Sequence, residues 1–178
     1  MIKIKEYEVK NSIEELTIEQ FEEVSRITND LGLDYVEKQL KLFSLLGVPE
    51  EVLDALTIPE LKEAVKEFND VPNKKYPFVQ ELEIDGYIYK AYEGEDFIIN
   101  AKDFSLIEKK IKKQESYISY LMAVIFKRTD LTKTEHYESA HLKLKEKLFR
   151  KLPAATSVAY LTAISKEVVN VSNAKVEK

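Results

Sequence analysis

Leu16-Thr17-Ile18-Glu19-Gln20-Phe21 is the stretch from which this chain is best read. An apolar residue precedes a threonine, an amide residue stands three positions further on, and an aromatic anchor follows. The threonine hydroxyl can accept from an orphan N–H of a first helical turn, and Gln20 can reach back to the threonine's own N–H. The phrase recurs as Leu56-Thr57-Ile58-Pro59-Glu60-Leu61 and, with asparagine as the cap, as Ile99-Asn100-Ala101-Lys102-Asp103-Phe104. Three such openings cut the chain into helical segments. They carry no chemistry themselves.

Working outward, the first phrase opens a helix over about 18–30, with Phe21, Val24 and Ile27 on one face. Upstream, Ile2 to Val9 alternates and reads as an edge strand guarded by lysines. A second helix over 34–46 spaces Val36, Leu40, Phe43 and Leu46 along one side and closes at Gly47. Pro49 stands in the first turn of a short helix over 50–55, where Glu50 and Glu51 suit the helix dipole. The second phrase opens a helix over 58–68 that buries Leu61, Val65 and Phe68. Asp70 to Pro77, with two prolines, an asparagine and two lysines, marks a boundary.

Beyond it the period changes to two. Glu81 to Ile84, then Asp85-Gly86, then Tyr87 to Tyr92 predicts a β-hairpin, with Tyr87 and Tyr89 on the face toward the helices. A short extended run over 96–99 leads to the third phrase, which opens a helix over 101–113. Helix continues over 114–127 with Ile118, Leu121, Met122 and Ile125 inward. After a polar break over 129–134, residues 137–152 form a basic amphipathic helix with Leu144, Leu148 and Leu152 spaced by four. Pro153 stops it. A last helix over 155–171 follows, and the tail from Ser172 frays. The expected fold is mainly α with a small antiparallel hairpin or three-stranded sheet (α+β). An acidic helical part, 1–70, and a hairpin plus basic helical part, 71–178, make one compact unit.

A chain of 178 residues can bury a real core, and 44% hydrophobic with 33% charged residues describes an ordinary globular protein. Four glycines leave phosphate-cradling loops scarce, and the lack of cysteine excludes disulfides, thiolate metal sites and cysteine nucleophiles. The alternating start is no signal peptide, and the longest apolar run, 117–126, is about half of what a spanning helix needs. A soluble protein is expected, acting inside the cell that makes it or in a particle assembled there. The net charge of -5 is uneven: residues 1–105 hold 12 Lys+Arg against 24 Asp+Glu, and 106–178 hold 15 against 8. Either two solvated faces differ, or the two ends meet different partners or each other's opposite in a neighbouring subunit.

Candidate chemistry is thin. His136 and His141, five apart, lie about 140° apart around a helix and cannot easily share a metal; they read as solvated. Glu138 shares a face with His141, but no third ligand follows. The acidic pairs Glu14-Glu15, Glu22-Glu23 and Glu50-Glu51 sit at helix starts or on exposed faces, without the burial that tunes a general acid or base. Ser116 and Ser119 lie mid-helix with no histidine close in sequence. Phosphate-loop, nucleophile-elbow and zinc-helix motifs are absent. Lys109 to Lys113 and Lys143 to Lys151 could meet phosphates, yet no aromatic alternates with these lysines, so a solvated face or a surface for an acidic protein is the plainer reading. Tyr117, Tyr120 and Tyr137 border the most apolar helix, where packing or an interface can use them. No catalytic residue, cofactor or metal is expected. Tyr117, Tyr120, Lys143, Lys147 and Arg150 are the candidate partner contacts.

In their order these segments resemble a family of small proteins encoded in the structural-gene region of tailed bacteriophages, crAss-like phages included. The resemblance lies in Leu16 to Phe21, then Leu45-Leu46-Gly47-Val48-Pro49, the helix Leu56 to Phe68 and the hairpin Ile84 to Tyr89. It closes with Leu121-Met122-Ala123-Val124-Ile125 and the Leu152-Pro153 junction. The chain departs from the family at the third phrase, where Asn100 replaces the usual threonine. The resemblance implies a non-enzymatic virion component, or a tail-assembly chaperone absent from the finished particle, that binds other phage structural proteins and possibly itself. A nucleic-acid-binding regulator using the helix 137–152 is the rival reading. Neither involves a membrane.

Overall fold

A computed structural model describes residues 2–9, 13–69, 75–91, 101–112 and 117–176. Residues 70–74 of the expected boundary, Tyr92, the run 96–99, the cap Asn100 and the stretch 113–116 lie outside the described residues.

The alternating start forms two strands rather than one. β1 (Ile2–Ile4) and β2 (Tyr7–Val9) pair antiparallel, with Ile4 opposite Tyr7, around a turn where Lys5 takes φ 54°. A straight strand would point Ile4 and Val9 to opposite faces; the turn brings both inward, where both are buried. Then α1 (Ile18–Asn29) begins at a complete capping box: Thr17 Oγ1 accepts from Gln20 N, and Gln20 Oε1 accepts from Thr17 N. The helix α2 (Tyr35–Leu45) has its own box between Asp34 and Glu37, unforeseen in the sequence reading. It ends at Gly47, φ 97°, with Val48 N bonded back to Phe43 O, which is the Schellman arrangement. Pro49 is the N-cap of α3 (Glu50–Asp54), and Thr57 with Glu60 opens α4 (Ile58–Asn69). Ile4, Val9, Leu16, Phe43, Leu46, Val48, Leu53, Leu61 and Val65 close into a first core.

β3 (Glu81–Ile84) and β4 (Tyr87–Lys90) form the expected hairpin. Asp85 and Gly86 both take positive φ, 53° and 77°, as a type I′ turn demands. After α5 (Ala101–Lys112) comes α6 (Ile118–Ile125), then β5 (Lys127–Arg128), which pairs with β4 to give the order β3-β4-β5. The third strand therefore comes from residues whose pattern predicts the end of a helix. α7 (Lys133–His136), α8 (Ser139–Phe149) and α9 (Ala155–Val176) complete a mainly α protein with a small antiparallel sheet. The last helix runs past the expected end at 171.

The second core surrounds α6, which is buried on nearly every side, as a helix apolar all round must be. Tyr89, Phe126, Phe149 and Tyr160 pack edge to face around it at centroid separations of 5.4–5.8 Å. A seam joins the two cores: Ile18 N donates to Leu152 O at 2.8 Å, and Ala154 N to Leu16 O at 2.8 Å. Through it, Ile18 enters the second core, Ala154 enters the first, and Phe21 packs against both.

The side chains depart from the simple spacing in three places. In α8, which starts at Ser139 rather than 137, Leu142, Lys145 and Phe149 point inward while Leu144 is 50% exposed. Leu148 and Leu152 still pack against the second core, so of the leucines spaced by four only Leu144 turns outward. In α2, Leu42, Phe43 and Leu46 are buried and Val36 is exposed. Tyr89 is fully buried, but Tyr87, next to the turn, lies outward under the Arg128 guanidinium, 4.2 Å from its ring centroid.

Candidate functional site

The helix α6 has orphan N–H groups at one end and orphan carbonyls at the other, all inside the protein, so distant side chains must satisfy them. At the N-terminal end, Glu22 of α1 accepts from Ser119 N at 2.8 Å and Ser119 Oγ at 3.1 Å. Glu22 is buried, against its reading as a solvated helix-start residue, and places an anion where the dipole of α6 favours one. The partners stand 97 residues apart, which is why local spacing cannot reveal the pair.

At the C-terminal end, the single turn of α7 swings His136 inward to 1% exposure, against its expected solvation. A box between Thr132 and Glu135 starts that turn. His136 Nε2 lies 3.1 Å from Val124 O. A carbonyl can only accept, so Nε2 carries the proton and Nδ1 accepts from Lys145 Nζ at 2.7 Å. Lys145 also donates to Phe126 O at 3.3 Å and is 2% exposed. Burial pushes its ammonium down to about 7; repulsion from Lys127 and Arg128 adds to this and Asp103 opposes it. Burial, reinforced by repulsion from Lys145, brings His136 down to about 4.

Beside them, Asp103 is wholly buried and accepts from Tyr137 Oη at 2.5 Å, with Lys127 Nζ 3.5 Å from its other oxygen. The Lys102 ammonium stands 3.6 Å over the Tyr137 ring. A lysine held near neutrality beside a neutral imidazole has the acid–base character of a proton-transfer or imine-forming site. Here its bonds go to the carbonyl end of α6 and to His136, so the cluster acts as a polar lock on that helix. Among the described residues no group of three or more His, Cys, Asp or Glu could hold a metal ion. The signals that could have found this lock are Thr132-x-x-Glu135, a box without an apolar anchor, and Lys145 standing between Leu142 and Phe149.

The five expected contact residues do not share one surface. Tyr117 and Tyr120 are half-buried against the second core, and burial raises both hydroxyls. Tyr120 lies under Lys110, 5.2 Å away; Lys110 reaches Glu146 at 3.9 Å, and Glu146 reaches Arg150 at 3.3 Å. Arg150 also stands 3.9 Å from Glu19 of α1. Lys143 and Lys147 do face solvent, on the outer side of α8 with Leu144, and Lys151 is exposed in the turn that follows.

A second outward surface went unread. At the corner between α1 and α2, Leu31 is 98% and Tyr35 60% exposed, and Val36 joins them. Asp30, Asp34 and Glu37 are the charged residues from 30 to 37, and Lys38 follows, its Nζ donating to Thr28 O at 3.0 Å across the corner. Asp30 Oδ1 accepts from Gly32 N at 2.8 Å, and the Asp34–Glu37 box fixes the start of α2, so the turn presenting Leu31 is tied at both ends. No helix among the described residues is long and apolar enough to cross a membrane. Set against known proteins, the chain matches no family model, no curated protein and no solved structure.

Proposed function

We propose that this protein is a non-enzymatic component of tailed-phage particle assembly, built into the virion and working through protein–protein contacts. The observation that carries the reading is the α1–α2 corner, where Leu31, Tyr35 and Val36 stand outside both cores on a turn held in place. Grouped exposed apolar residues rimmed by charge suit a protein partner. The uneven charge, acidic to residue 105 and basic beyond it, supplies complementary surfaces for such contacts. The resemblance of its sequence layout to small phage structural proteins supports this context, in which other structural proteins of the particle, and the chain itself, are the partners.

Mass spectrometry of purified particles and of assembly intermediates tests this. Stoichiometric presence in finished particles is expected. Presence in intermediates alone would make the protein a transient chaperone instead, and absence from both would overturn an assembly role. Filter binding across a salt series tests the rival use of the helix 137–152. In that stretch Lys145 is buried, which withdraws it from phosphate contact, and Arg150 already has Glu146 and Glu19 as neighbours competing for it. Weak binding is expected; tight binding that falls steeply with salt would favour a nucleic-acid regulator.

A further inference from the structure

We propose that the chain associates head to tail with copies of itself, the α1–α2 corner of one copy seating on the outer face of α8 of the next. This rests on the reading of the protein as an assembly component and names one partner for it. The corner groups three exposed apolar residues and the α8 face offers one, Leu144, and the rims are opposite in net charge. The corner presents Leu31, Tyr35 and Val36 among Asp30, Asp34 and Glu37, and stays net acidic with Lys38 at its edge, where the ammonium is bonded to Thr28 O. The α8 face presents Leu144, 50% exposed, among Lys143 and Lys147, with Lys151 in the turn just past the helix, all three lysines exposed.

Neither face can satisfy itself across a two-fold axis, because like charges would then meet; each complements the other. The geometry also keeps them from closing on each other within one molecule. The C-terminal end of α8 is fixed at the start of α1, where Glu19 N donates to Arg150 O at 3.0 Å. The corner lies at the other end of α1, 12 residues and so about 18 Å away. Two complementary faces held apart on a rigid body form a heterologous contact, which generates rings or filaments rather than a closed dimer.

Two variants and their mixture test this by sedimentation velocity on the full chain. Leu31→Ser/Tyr35→Ser removes the apolar centre of the corner with little risk to folding, since both side chains already stand in solvent. Lys143→Glu/Lys147→Glu reverses the rim of the α8 face, again at exposed positions. The wild-type chain is expected to give a concentration-dependent series of species beyond the dimer, shortened at 0.5 M salt. Each variant alone is expected to remain monomeric. Their equimolar mixture keeps one live corner and one live α8 face, so it should give a 1:1 dimer and nothing larger.

A wild-type chain that stays monomeric, one that stops at a dimer, association untouched by either variant, or a mixture that stays monomeric would each overturn the proposal. Failure here is distinct from failure of the assembly reading. A monomer found in particles refutes the self-contact alone, and a polymerising chain absent from particles and intermediates refutes the assembly role alone.

Discussion

Glu22 and His136 hold opposite ends of one buried helix, so their side chains can be weighed singly. Glu22→Ala leaves Ser119 N without its acceptor inside the protein and strips the anion from the N-terminus of α6. A loss of about 2–3 kcal/mol in urea unfolding is expected. Glu22→Gln keeps an acceptor oxygen and should cost about half as much; equal losses would show that the charge, not the hydrogen bond, does the holding.

His136 sets a pH window. Its native value of about 4 lies below the ordinary 6.5, so the unfolded chain takes up a proton before the folded one does. The stability this contributes is complete above pH 6.5 and is lost as pH falls toward 4, roughly 3 kcal/mol at most. Lys145, at about 7 against 10.5, acts at higher pH. The buried ammonium weighs on the fold most below pH 7, and the fold gains as pH rises from 7 toward 10.5. Urea midpoints measured across pH should climb in both windows, and His136→Gln should flatten the lower one. An unchanged lower slope in that variant would remove His136 as its source.

At the level of elements, the caps and turns set the start and end points. Thr17→Ala removes the acceptor for Gln20 N and should cost about 1 kcal/mol. Gly86→Ala places a Cβ at φ 77° and should cost a similar amount, seen as a melting point lower by about 2–4 °C. These were legible features. Thr17 with Gln20, Thr57 with Glu60, Asp85-Gly86 and Gly47 each act within a few residues, so spacing alone displays them. What stayed hidden depends on partners far along the chain. Lys145 reads as one more solvated lysine until Phe126 O and His136 are brought to it, and Glu22 reads as surface until Ser119 arrives. In α8 the leucines spaced by four do not reveal that Lys145, between Leu142 and Phe149, holds an inward place. The corner at Leu31 gave no periodic signal at all, since a turn has no period to break.

For the molecule as a whole, α6 is the element that every other part of the second core encloses. Its backbone bonds should open only with global unfolding, so the amides of Met122 to Phe126 are expected among the slowest to exchange in hydrogen-exchange mass spectrometry or NMR. Sub-global exchange there, faster than that of α4, would mean that the two cores open separately. The seam argues against such separate opening, because each core contains a residue from across it.

That seam also carries a consequence for how the chain is made. Leu16 and Ile18 leave the ribosome long before Ala154 and Leu152 exist to complete the two hydrogen bonds of the seam. At roughly 5–20 residues per second, several seconds of translation separate the two halves of the join. During that interval Ile18 and Phe21 have no second core to enter, and a nascent chain offers the same apolar face to whatever is nearby. Co-translational crowding on a polysome, with many copies at the same stage, is therefore the moment at which this protein is most open to mispairing.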